Sequence, residues 1–372
     1  MAQETLTSRL YYGTCCFVLF FAAAAASFNG YYTKLYFREP GTGDASFPKA
    51  SFDAMMDGTA ARPYVFRQLL PTVANWIDQR VPEKTKNRLF VATTHEGELV
   101  RESLFSTPLA RSREYFLRYW IVYEMAFLFA WISVYAMYLV CRAIGFGPTT
   151  AAGSAVIMIL LIPLIMTGGF FYDYPELAFL ALAVWMALKF DWWWMIPVVA
   201  LAAWNKESFL LFIPTLYPLL RGRSSRINAL VGTGVLGLIC AAVYCVFRFK
   251  FQHNPGGTVE VHLKEQIAFW FHPLAWIAPH KTYGIVALPA FNPLSAALIV
   301  ATVWRGWRSL PRTIQRHTQI AAVINFPLFI LFCGAGELRN LSFLYIAFLL
   351  LLAVNLAKVP GNGISNAAAL PG

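Results

Sequence analysis

The sequence predicts an all-α integral membrane protein: a polytopic bundle of about eight full spans, a re-entrant helical hairpin and a helix lying on the outer interface. Composition is the first reason, because 58% of the residues are hydrophobic and only 13% are charged, about half the charged share of a soluble domain. The second is clustering. Apolar residues gather into runs at 11–28, 120–141, 151–166, 227–247, 284–304, 320–334 and 341–357, each near the roughly 20 residues that cross a bilayer. The third is the placement of charge. Arg142, Lys189, Arg221, Arg223, Arg226, Arg305, Arg308, Arg312, Arg316 and Lys358 occupy alternate connections, with Arg9 at the N-terminus, and Glu4 and Asp191 are the only carboxylates beside them. Short connections rich in Lys and Arg are cytoplasmic by the positive-inside rule, so the formal net charge of +11 reports orientation and not affinity for nucleic acid.

Cys15, Cys16, Cys141, Cys240, Cys245 and Cys333 all fall inside or at the edge of apolar runs, which offers neither a disulfide framework nor a metal-type spacing. The run at 11–28 has an alternative reading as a cleaved signal peptide, since residues 22–26 contain A-x-A patterns. Its leading segment is weakly basic, Arg9 being offset by Glu4, and the alternation of the later loops needs this span retained.

Residues 1–358 read as one transmembrane domain with both termini cytoplasmic, and 359–372, rich in Gly, Asn and Ala, as a flexible tail. After the first span comes a long periplasmic segment, 33–118. Within it, 62–80 places Phe66, Leu69, Leu70, Val73 and Ile77 on one helical face, as in a helix lying at the interface, with Pro71 a point of kinking or restart. The segment 192–220 cannot be one ordinary crossing, because that would carry Arg221, Arg223 and Arg226 to the outer side. Each half around Asn205-Lys206-Glu207-Ser208 has about 13 residues, roughly 20 Å of helix against a hydrocarbon core of about 30 Å. A re-entrant hairpin entering from the cytoplasm satisfies both limits. Its polar tip is tolerable only within protein or a wet cavity, so the hairpin implies a cavity open to the outer side. A polar outer loop over 251–283 carries His253, Glu260, His262, Lys264, Glu265, His272, His280 and Lys281.

The outer side then holds Glu39, Asp44, Asp53 and Asp57; Arg62 and Arg67; Asp173 and Glu176; Asn205, Lys206 and Glu207; and Glu337 with Arg339. Ionisable groups at membrane depth are costly and point to function. Each has a plainer reading. Lys206 and Glu207 can form a mutual ion pair that steadies the hairpin tip. Asp173 and Glu176, three apart, share a helical face, yet acids also suit a helix N-terminus, and Pro175 suits its first turn. Asp44, Asp53 and Asp57 stand in loop sequence where most acids are merely solvated. The histidines lack the i, i+4 spacing of a helical metal site, and Gly168-Gly169 and Gly256-Gly257 lack a phosphate-loop context.

With these segments in view, the chain resembles the GT-C superfamily, bacterial-type membrane glycosyltransferases that take sugars from polyprenyl-phosphate carriers. The likeness covers nearly the whole chain and is carried by Arg62-Pro-Tyr-Val-Phe-Arg67-Gln-Leu-Leu-Pro71, Asp173-Tyr-Pro-Glu176-Leu, Asn205-Lys-Glu207 and Glu337-Leu-Arg339. The resemblance implies a hexosyl- or pentosyltransferase of the cell envelope, in the bacterial cytoplasmic (inner) membrane with its active site periplasmic. Its partners would be an isoprenoid-phosphate-linked sugar donor, a glycan, lipid or protein acceptor, and the lipid bilayer. An outer-loop acid would be the general base, Asp44 being favoured with Asp53 and Asp57 left open, because the Asp-x-Asp or Glu-Asp pair of some members is absent. Arg67, Lys206 and Arg339 would hold the leaving phosphate, with Arg62 beside them. Asp173, Glu176, Asn205, Glu207 and Glu337 would bind sugar hydroxyls or orient the cations. So many carboxylates are compatible with a divalent metal and do not demand one. The rival reading is a transporter or lipid flippase, against which stand the lack of an internal repeat and of acids in the cytoplasmic half. An accessory subunit without catalysis is a third.

Overall fold

The computed structural model describes residues 6–32, 51–95, 112–165, 169–257, 259, 261–289, 291–334 and 336–359, and these are overwhelmingly helical. In order they form α1 (Leu6–Tyr32), α2 (Phe52–Met56), a 3₁₀ turn (Tyr64–Phe66), α3 (Leu69–Asp78), α4 (Glu83–His95), α5 (Phe116–Ile144), α6 (Pro148–Ile165) and α7 (Asp173–Lys189). Then follow α8 (Ile196–Asn205), α9 (Phe209–Arg221), α10 (Arg226–Lys250), α11 (Leu263–Trp270), a hairpin of β1 (His280–Thr282) and β2 (Ile285–Ala287), α12 (Pro293–Gly306) and α13 (Arg312–Phe332). A 3₁₀ segment (Leu338–Leu344) runs into α14 (Tyr345–Ala357).

Five stretches are long and apolar enough to cross a membrane: Tyr11–Gly30, Phe116–Ile144, Pro148–Ile165, Arg226–Lys250 and Leu338–Ala357. The three other expected spans differ for identifiable reasons. α7 is apolar but has 17 residues. α13 has 21 residues and opens on Arg312, Arg316 and His317. The run at 284–304 is not one helix, because its first residues pair in the β-hairpin and Asn292 caps a new helix by accepting from the Ser295 N–H at 2.9 Å, with Pro293 in the first turn. α12 therefore keeps 14 residues, about 21 Å of helix. The hairpin turn is Tyr283-Gly284, both at positive φ, as a two-residue loop matching strand twist requires. The expected interface helix at 62–80 is likewise broken, its α-helical part starting at Leu69. Pro71 falls in the first turn of α3, where the missing N–H costs nothing.

α7 sits at the centre, packed on α5, α8, α9 and α14. Its alanines 178, 181, 183 and 187 are buried, and small residues let helices approach closely where burial against lipid gives no hydrophobic drive. α1 lies along α5 and α6, joined to α6 and α7 where Ser27 donates to the Ile159 carbonyl (2.6 Å) and meets the Tyr174 hydroxyl (2.8 Å). α5 ends at Gly145, whose φ of +101° lets its N–H and that of Phe146 close onto the carbonyls of Arg142 and Cys141.

α8 and α9 both track α10. Trp192 lies against Gly232, Cys240 against the Val199 carbonyl at 3.9 Å, and the Trp204 ring over Phe247 at 5.9 Å, so α8 runs parallel to α10. α9 returns the other way, with Ile213 4.0 Å from the place of a side chain on Gly237 and Ser225 capping α10 directly after it. The turn at 206–208 is thereby carried to the end of the bundle where α7 begins. Arg142, Lys189, Arg221 and Arg312 stand at helix ends away from that turn.

Burial separates structural positions from lipid-accessible ones. Phe20 is wholly buried, edge-on to Tyr135 at 4.9 Å, while Val18 is 59% exposed on the same helix. Phe20→Ala should remove about 3–5 kcal/mol of stability, and Val18→Ala about 0.5 kcal/mol or less. Thermal melting in one detergent checks this, and equal losses for the two would contradict the packing described.

Candidate functional site

The site begins with the first turn of α7. Asp173 and Glu176 are almost fully buried there, at the positive end of the helix dipole. Asp173 does reach back as a cap, its Oδ2 accepting the Phe170 N–H at 2.8 Å, but the same oxygen also accepts from Arg339 at 3.2 Å. Glu176 receives Lys206 Nζ on one oxygen at 2.7 Å and the Ser342 hydroxyl on the other at 2.8 Å. The two acids thus serve the helix terminus and the neighbouring cations at once.

The expected mutual pair of Lys206 and Glu207 does not form. Lys206 has extended backbone (φ −155°, ψ 128°), and neighbouring side chains on extended chain point in opposite directions. Lys206 turns to Glu176, and Glu207 turns to Arg67, 3.0 Å from Nη2 and 3.4 Å from Nε. Asn205 anchors the turn by donating to the Tyr172 carbonyl at 3.0 Å.

Arg67 follows the 3₁₀ turn Tyr64–Phe66 and is held from three sides: by Glu207, by a hydrogen bond to the Tyr172 hydroxyl, and by the Tyr172 ring face 4.4 Å from its guanidinium carbon. Burial opposes the charge on Arg67, but the Glu207 carboxylate, together with the oxygens of Tyr172 and Tyr64, more than offsets it, so the guanidinium is held protonated beyond its ordinary range. Arg339 repeats the arrangement, with Asp173 and Glu337 as partners and the Phe170 ring at 4.9 Å. Phe170 and Tyr172 are themselves stacked, 5.0 Å apart and 8° from parallel. Asn325 fixes the segment that carries Arg339, donating to the Asn340 carbonyl at 2.7 Å and accepting the Phe343 N–H at 3.1 Å.

These groups line a cavity of about 710 Å³. Its charged lining is Arg67, Lys206, Arg339, Glu176, Glu207 and Glu337; its apolar lining includes Leu210, Leu211, Tyr244, Leu328, Phe332 and Phe343; His262 and Glu265, hydrogen-bonded to each other, line it as well. No protein-family model, no curated protein and no solved structure matches this chain. The reading of the site therefore rests on its own chemistry.

Of the residues singled out from sequence, Arg67, Glu176, Lys206, Glu207, Glu337 and Arg339 line the cavity, and Asp173 stands directly behind Arg339. Asn205 is a support beneath the turn. Arg62 faces elsewhere, donating to the Gly256 carbonyl at 2.6 Å while its N–H bonds the Pro255 carbonyl, and so pins the loop after α10. Asp57 caps the end of α2, where Arg118 (2.8 Å) and the Tyr115 hydroxyl engage it. Asp53, also on α2, has one buried oxygen with no hydrogen-bond partner among the described residues, and it is not on the cavity wall. Glu39, Asp44 and Glu260 lie outside the described residues. No group of three or more His, Cys, Asp or Glu side chains among the described residues is arranged to hold a metal ion. The cavity carboxylates each face a cation instead.

Sequence reasoning assigned no role to Tyr64, within the segment Arg62–Pro71, to Phe170 and Tyr172, in the short stretch between two spans, or to Asn325 and Ser342, single polar residues within apolar runs. An aromatic cluster Phe170-Phe171-Tyr172 directly before a helix start rich in acid was the available signal.

A buried ion pair is costly to break singly and cheap to replace whole. Glu176→Gln should lower stability by about 3–5 kcal/mol by stranding Lys206, and the double variant Glu176→Gln/Lys206→Met should recover most of it. Melting of the four proteins in a double-mutant cycle reads the coupling; additive losses would show that the pair is not an energetic unit.

Proposed function

We propose that the protein is a membrane glycosyltransferase that moves a sugar from a polyprenyl-phosphate donor to an acceptor hydroxyl, with inversion, on the outer face of a bacterial cytoplasmic membrane. The observation that carries this reading is one cavity whose lining combines three cations, Arg67, Lys206 and Arg339, with apolar side chains. A polyprenyl phosphate has just these two parts, an anionic head and an apolar chain. Leu211, in that lining, is 41% exposed, and in this reading it meets the lipid chain.

In this reading the five long helices, with α7, α12 and α13, make eight crossings, and α8 with α9 is a hairpin re-entering from the cytoplasmic side. The basic helix ends face the cytoplasm by the positive-inside rule. The acceptor hydroxyl loses its proton to an outer-segment carboxylate, Asp44 by preference, and its oxygen attacks the anomeric carbon. The bond from that carbon to the phosphate oxygen breaks, and polyprenyl phosphate departs with the electron pair. Charge grows on the departing phosphate as the bond breaks. Arg67 and Arg339 supply bidentate forks and Lys206 a point charge to meet it. Each cation exchanges a resting carboxylate for phosphate, which releases Glu207, Glu337 and Glu176 to sugar hydroxyls. Asp57, tied to Arg118, has no part in the step.

Turnover of labelled polyprenyl-phosphate sugars in proteoliposomes tests this. Arg339→Met and Arg67→Met should each lower the rate by about 10²–10³-fold, and Asp44→Asn should abolish it, while Asp57→Asn retains it. Full turnover in both Asp44→Asn and Glu207→Gln would show that the named site is wrong. Movement of the lipid between leaflets without a new glycosidic bond would favour the carrier reading.

A further inference from the structure

Residues 263–283 belong to the polar outer loop expected over 251–283, and 284–289 to the start of the apolar run at 284–304, yet both turn large apolar side chains outward. The side chain that α11 turns inward is Gln266, wholly buried, whose amide donates to the carbonyls of Phe329, Cys333 and Gly334 at 3.3, 3.1 and 3.0 Å. The side chains turned outward are Ile267, Trp270, Phe271 and, one turn on, Leu274, with Phe271 79% and Leu274 78% exposed. The hairpin repeats the pattern: Thr282 is buried, and Ile285 and Val286 are 62% and 76% exposed. Lys264, Glu265 and His272 are exposed too, at the start of α11 and just after it, but soluble proteins seldom leave so many large apolar side chains outside in one short segment. In hydrocarbon an apolar outer face is the favourable one, since those groups need no cover, and the buried Gln266 amide nitrogen has carbonyl partners inside.

Where the hairpin sits agrees. The Tyr283 hydroxyl donates to the Leu160 carbonyl at 2.8 Å, and its ring occupies the space a side chain on Gly30 would need, 2.6 Å away. Gly30 ends the span Tyr11–Gly30, and Leu160 lies within Pro148–Ile165, about 7–8 Å along the axis from its end. The hairpin tip is therefore packed at the end of one span and more than a turn inside the end of the other. The exposed apolar surface also continues into α12, where Leu294, Leu298, Val300 and Trp304 face outward.

We propose that residues 263–289 form a lip embedded in the acyl chains of the leaflet at the cavity end of the bundle, with lipid as the occupant of its outer face. Glu265, at the start of α11, and His262, just before it, border the cavity, so the lip is the cavity's edge on the membrane side. This rests on reading the five long helices as spans and is independent of the sugar-transfer reading.

Spin labels attached at Leu274→Cys and Val286→Cys in phosphatidylcholine–phosphatidylglycerol vesicles test it, with the six native cysteines replaced. Collision with oxygen should exceed collision with a water-soluble nickel chelate several-fold at both positions, as at Leu238→Cys on α10, and the reverse should hold at Lys84→Cys on α4. Chelate access at the two lip positions with Leu238 still protected would overturn the lip alone. Chelate access at Leu238 as well would overturn the spans beneath it. Low access to both reagents would mean that a second copy or another protein covers the face, which also overturns the proposal. Should the cysteine-free background fail to fold, labelling of the same two cysteines in the otherwise native chain by lipid-soluble and water-soluble maleimides, mapped by peptide mass, gives the same discrimination.

Discussion

A lysine held 2.7 Å from a carboxylate, each side chain with little access to water, is costly to part from its partner. Lys206 and Glu176 impose that condition on everything near them. The chain must break between α8 and α9 so that Lys206 can reach the start of α7, and α7 must begin at that depth so that its dipole supports the acid. Ser342 must stand opposite to satisfy the remaining oxygen. Arg67 with Glu207, and Arg339 with Asp173 and Glu337, extend the same solution outward along the stacked rings of Phe170 and Tyr172.

The paired charges share one cavity with apolar side chains. α9 contributes to both, since Leu210 and Leu211 follow the turn that carries Lys206 and Glu207. The prolines within α9, Pro214 and Pro218, remove two helix hydrogen bonds, and α10 and α13 pack against the weakened stretch. Buried His317 on α13 bonds the Thr215 carbonyl, between the two prolines, at 2.7 Å.

Much of this was legible in the residues. Apolar runs and the segregation of basic connections mark the helices and their ends, and the length argument over 192–220 anticipates two short helices with a polar turn. Most cavity cations and acids could be named because charge is rare in such a chain. The pairing could not, because contacts such as Arg67 with Glu207 and Arg339 with Asp173 join residues far apart in sequence, and adjacency misleads for Lys206 and Glu207. The run at 284–304 misled for a related reason: an apolar stretch reads alike as strand or helix until Asn292 and Pro293 are recognised as a start signal. Residues 263–270 show the limit most clearly. Polar Gln266 is an interior residue only because carbonyls at the end of α13 await it.

The charge balance of the cavity wall carries a consequence for how a ligand arrives. Arg67, Lys206 and Arg339 stand beside Glu176, Glu207 and Glu337 there, with Asp173 behind Arg339, so these groups together carry no net positive charge. An anion approaching from bulk solution is not drawn to them over a Debye length, as it is by an unbalanced basic cleft. For the proposed donor, attraction would switch on only at contact, when a guanidinium lets go of its carboxylate. Its encounter would then be governed by two-dimensional diffusion within the membrane, at a rate set by surface density in the bilayer and hardly at all by the ionic strength of the surrounding water.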